Sequence, residues 1–112
     1  MAAHHASSGE IVSLRPLAER LPEAQSVALV RDDRIELLRL VLPAGKQLPE
    51  HFAYGPVTIQ CLEGVVEIAA HDTVRAMRAG DLMYLAAEVP HAVRATEDAL
   101  VLVTMVLRDG PA

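Results

Sequence analysis

From Ser26 onward the hydrophobic positions change from a helical spacing to a two-residue alternation, and this switch organises the chain. The runs SVALVR and RIELLRLVL, joined by the polar Asp32-Asp33 turn, read as a hairpin without the usual glycine. After Pro56 the residues Val57, Ile59 and Cys61 point to one side of a strand and Thr58, Gln60 and Leu62 to the other, with Glu63-Gly64 as the turn. VVEIAA, a turn at His71-Asp72, TVRAMR and the turn Ala79-Gly80-Asp81 follow. LMYLA, HAVRAT and ALVLVTMVL complete the series. Upstream of Pro56, the residues Pro43, Gly45, Pro49 and Gly55 exclude a helix and predict an extended, turning path that sets His51 at the mouth of a strand.

Before Ser26 the spacing differs. Ser13 is placed to cap a short helix carrying Leu14, Leu17 and Leu21 on one face, with Pro16 in its first turn and Pro22 ending it. Roughly eight short strands and one short helix predict an all-β sandwich or barrel. Residues 1–10, which include His4 and His5, are expected to form a flexible tail, and residues 11–112 a single domain.

The chain has 112 residues, of which 52% are hydrophobic but only 3% aromatic, with no Trp, so its core must be built from closely packed aliphatic strands. A formal charge of -5, no clustered Lys or Arg and no aromatic stacking platform argue against nucleic acid and against an anionic membrane surface. No run is long enough to span a membrane or act as a secretory signal, and the single Cys61 suits a reducing compartment, so the expected location is cytoplasmic. Several strands, notably ALVLVTMVL and RIELLRLVL, are apolar on both faces, which predicts a homodimer.

No glycine-rich phosphate loop is present. Cys61 shares its parity with Val57 and Ile59 and has no evident base, so it reads as a small core hydrophobe sooner than as a nucleophile. Glu63 and Asp81 fall in turns, whereas Glu50 and Glu88 lie close in sequence to histidines. Two of those histidines, His51 in LPEHF and His91 in EVPHAV, each follow a proline-containing turn and are each expected to open a strand. Histidines on different strands of a small barrel can converge on its interior, and the predicted pocket comprises His51, Phe52, Tyr54, Cys61, Met83 and His91, with Tyr84 and Met105 as further wall candidates. His71, at a hairpin tip, is expected to face solvent.

With these residues in place, the chain resembles a small single-domain cupin of the RmlC-like jelly-roll family, over about Ile35 to Leu107. Gly45, His51 and Gly64 fall on the first cupin motif, where Ala53 stands in place of a second His and Val57 in place of a Glu. Gly80-Asp81 and His91 fall on the second motif, where Ala86, Glu88 and Ala95 replace Pro, Gly and Asn. The resemblance implies a jelly-roll, or double-stranded β-helix, barrel that hosts many activities. It also implies a divalent metal (Zn, Ni or Fe) of which only His51 and His91 remain as ligands, with Tyr54, Gln60, Cys61 or Glu50 as nearby donors. Three functions are compatible with this pattern. The first is binding of a small, largely apolar molecule in the barrel through His51 and His91. The others are a metal-dependent oxygenase or isomerase of a small organic acid or ketone, and a non-catalytic dimeric sensor or scaffold.

Overall fold

The structure is a computed structural model that describes residues 5–14 and 26–110. The described residues form nine strands: β1 (Val27–Arg31), β2 (Ile35–Leu42), β3 (Gln47–His51), β4 (Val57–Glu63), β5 (Val65–Ala70), β6 (Thr73–Arg78), β7 (Leu82–Leu85), β8 (His91–Ala95) and β9 (Ala99–Val106). They pair antiparallel into a five-stranded sheet of order β1-β2-β9-β4-β7 and a four-stranded sheet of order β3-β8-β5-β6, the two layers of a jelly roll. Most of the helix expected after Ser13 lies outside the described residues, and Ser13 and Leu14 themselves are in irregular chain. Among the described residues there is no helix long and apolar enough to cross a membrane.

The alternation read from the sequence decides which side chains meet between the layers. Val57, Ile59 and Cys61 of β4, Val66 and Ile68 of β5, Val93 and Ala95 of β8, and Ala99 and Val101 of β9 all enter one buried cluster with Leu42, Met77 and Leu85. Ile59, Cys61, Val66, Ile68 and Val101 are no more than 2% exposed. With no Trp and few aromatic rings, the interior is filled by these branched aliphatic groups, each contributing about 1.5–3 kcal/mol on burial.

The β1–β2 hairpin shows how a turn lacking glycine closes. Asp32 Oδ1 accepts the backbone N–H of Arg34 at 2.7 Å and of Ile35 at 2.9 Å, so the side chain organises the bend. Those two hydrogen bonds hold the Asp32 carboxyl below its ordinary value of 3.8. Residues 5–10, expected as a tail, run beside the first sheet: the Ala6 N–H donates to the Leu29 carbonyl at 2.8 Å.

One element departs from the sequence reading. Gln47–His51 is a strand, so His51 closes β3 instead of opening the strand that follows. Pro49 lies inside it, which is permitted because β3 is the edge of its sheet and its register against β8 shifts between Leu48 and His51.

Candidate functional site

The shift in β3 brings His51 level with His91, the first residue of β8, as direct cross-strand partners. Their rings are 4.4 Å apart between centroids and inclined at 57°. His91 is buried, at 5% exposure, and it shares its inward face with Val93 and Ala95, whereas His51 is exposed. Each ring is held from behind in the same way. His51 Nδ1 lies 3.1 Å from the Pro49 carbonyl and His91 Nδ1 lies 3.0 Å from the Val89 carbonyl, two residues upstream in both cases. A carbonyl only accepts, so a neutral imidazole making this bond carries its proton on Nδ1 and keeps the Nε2 lone pair free for a ligand.

The two histidine segments are also tied to each other. The Glu88 N–H donates to the Ala53 carbonyl at 2.8 Å, joining the loop before β8 to the chain after β3. Glu88 has φ of 64°, a left-handed conformation, at the place where the cupin pattern has glycine. The backbone here adopts the left-handed turn that a glycine at this place would allow.

The remaining predicted pocket residues are dispersed. Phe52 and Tyr54 are 49% and 42% exposed and meet edge to face at 5.5 Å, forming a small aromatic pair on the surface. Met83 packs against the core and, with Tyr84, lines a cavity of about 520 Å³ between β6 and β7. Met105 packs against the core beside Val57, its partner on β4. Glu50 and Glu88 line a separate surface hollow with His71, which is exposed at its hairpin tip as expected. Gln60 lies on the outward parity of β4.

Cys61 is fully buried, and its Sγ lies 3.5 Å from the carbonyls of both Glu63 and Gly64, to which the thiol donates. Burial pushes this thiol above its ordinary value of 9.0, and the negative charge of Asp81 acts in the same direction. Because the unfolded chain's thiol ionises first, Cys61 should contribute stability that is full below pH 9.0 and lost as pH rises toward the higher folded value. Urea unfolding across pH 8 to 10 should therefore show a steeper loss for the parent than for Cys61→Ala. Parallel pH profiles would show that the thiol does not titrate differently on folding.

The donor set does not fit a complete metal site. Among the described residues no group of three or more His, Cys, Asp or Glu is placed to hold an ion. Ala53 and Val57, at the two missing ligand positions, both pack into the apolar core. Two imidazoles alone would leave a divalent ion mainly coordinated by water.

No family model matches the chain, and no curated protein matches it either. Solved structures do. A conserved protein of unknown function from Streptococcus pyogenes superposes with a TM-score of 0.77 at 20% identity, over 98% of this chain and 100% of that one. A cupin superfamily protein from Desulfitobacterium hafniense gives 0.74 at 19% identity, over 88% and 95% of the two chains. An RmlC-like cupin family protein with a double-stranded β-helix fold, from Methanocaldococcus jannaschii, gives 0.67 at 19%, over 74% and 81%. The fold is that of the cupins, a double-stranded β-helix of two antiparallel sheets.

Proposed function

We propose that this cupin-fold chain binds a small molecule at the barrel end occupied by His51 and His91, the two imidazoles receiving its polar group. The observation that carries this reading is the paired geometry: rings in contact across β3 and β8, each with Nδ1 engaged by a backbone carbonyl. With each Nδ1 engaged by a carbonyl, the two neighbouring Nε2 acceptors suit a hydroxyl, an enol or a partly hydrated cation. Oxygenase or isomerase chemistry on a small organic acid or ketone would need a further ligand beyond the two imidazoles.

A thermal-shift screen of small metabolites, followed by calorimetry, tests the proposal. A compound that binds the parent should lose about tenfold or more in affinity to His91→Leu and to His51→Leu, since each removes an acceptor whose partner is then left unpaired. Unchanged affinity in both folded variants would overturn the assignment. Elemental analysis of protein purified without a tag is the parallel test for a divalent ion.

We also propose a homodimer in the cytoplasm, supported by the apolar outer face of the five-stranded sheet. Leu37 and Leu62 are half-buried there, while Leu82 and Tyr84 on its edge strand β7 remain 59% and 65% exposed. Light scattering at micromolar concentration should give twice the chain mass. Leu82→Lys with Tyr84→Lys should restore the monomer without lowering the thermal midpoint, because neither side chain is buried in the monomer; a parent that is already monomeric would refute the dimer.

A further inference from the structure

We infer that the seam between the edge strands β6 and β7 is a binding site for the carboxylate of an aliphatic acid, with the Arg75 guanidinium as its anchor. β6 and β7 are the last strands of their respective sheets, and the barrel is open between them. The opening is a cavity of about 520 Å³ whose walls include Ile68, Ala70, Met77, Met83 and Leu85. That volume lies within the range of about 300–1,000 Å³ usual for small-molecule sites.

Arg75 lines the same cavity and pairs across the sheet with the fully buried Ile68, so by strand parity it is on the inward face. Among the described residues it has no ion-pair partner, whereas Arg31 and Arg94 are matched with Glu36 and Glu67 at 3.1 Å. The cavity's own acid, Asp81, is turned to the backbone, its Oδ2 accepting the Arg78 N–H at 2.9 Å. A single unmatched guanidinium beside an aliphatic wall presents a planar fork of donors, which fits a carboxylate followed by a hydrocarbon body.

The seam also reaches the histidines. Ala70 lines the cavity and is the cross-strand partner of His91, so the strand that carries this imidazole is the next one, at the usual backbone spacing of about 4.8 Å. Thr73, opposite Ala70 on β6, lines the cavity at the same level. A molecule with its carboxylate on Arg75 can therefore extend its chain toward the pair, so this assignment rests on the small-molecule reading above and specifies the ligand as an acid. The competing role for Arg75 is protective, since an inward charge on an edge strand discourages pairing with another chain. That role predicts no effect of Arg75 on affinity for a small acid.

The experiment compares hexanoate with the neutral hexanamide by amide NMR titration and calorimetry on the intact chain. Hexanoate should shift the amides of residues 68–70, 73–77 and 83–85 saturably and bind about tenfold or more tightly than hexanamide, as expected for a charge-assisted pair. Arg75→Met should abolish that preference and Arg75→Lys should retain part of it, both with unchanged melting because the residue is exposed. Hexanoate that binds no better than hexanamide, or equally well to parent and Arg75→Met, overturns the inference. Binding that ignores Arg75 but is lost in His91→Leu would overturn it while leaving the histidine site intact. Binding that needs Arg75 and ignores both histidines would uphold the seam and remove the histidine site instead.

Discussion

The double substitution Ala53→His and Val57→Glu is expected to raise affinity for Ni, Zn or Fe(II) on the order of a thousandfold over the parent, converting two donors into four. Ala53 lies two residues from His51 and packs inward, and Val57 is 3% exposed on the interior face of β4, between Leu85 and Met105. Without metal the variant should be destabilised, because a carboxylate then replaces a buried isopropyl group with nothing to pair with. With metal at a hundred times its dissociation constant, binding returns about 2.7 kcal/mol, so the thermal midpoint should become strongly metal-dependent. Calorimetry and melting curves on parent and variant read both effects. A folded variant with no gain in affinity would mean that the two Nε2 atoms do not face the positions of Ala53 and Val57, and the proposed histidine site would fall with it.

Replacing Gly64 by Ala is expected to destabilise the barrel by about 3 kcal/mol, combining left-handed strain with a steric clash. Gly64 has φ of 77°, and an added Cβ would run into the Asp98 carbonyl and the Ala99 Cα. Both are main-chain atoms where β9 begins, so the collision cannot be relieved by moving a side chain. The midpoint should fall by about 12 °C or more. Gly80→Ala is the control: its φ is 97° but no heavy atom lies within 4 Å of the added Cβ, so only the backbone strain of about 1–2 kcal/mol applies. Equal losses at the two positions would show that the approach of Gly64 to Asp98 does not limit stability.

Most of the architecture is written in the local pattern of residues, because a period of two is a property of neighbours along the chain. Val57, Ile59 and Cys61 alternate with Thr58, Gln60 and Leu62, and that alone assigns the buried face of β4. The motif glycines and the two histidines were also legible as spacings, as was the solvent position of His71. β3 escaped because Pro49 argues against a strand, and only its place at a sheet edge, known once the strands are paired, makes the proline acceptable. The same pairing decided the site. Whether His51 and His91 meet depends on an irregular register between β3 and β8, and whether Phe52 or Tyr54 lines the interior depends on how the chain leaves β3. The meaning of Arg75 likewise arises in the tertiary structure: in TVRAMR it is an ordinary polar position. Its place on the inward face, beside an open seam and without an ion-pair partner among the described residues, follows from the order of strands in two sheets. Those are contacts between residues distant in sequence, and no local periodicity encodes them.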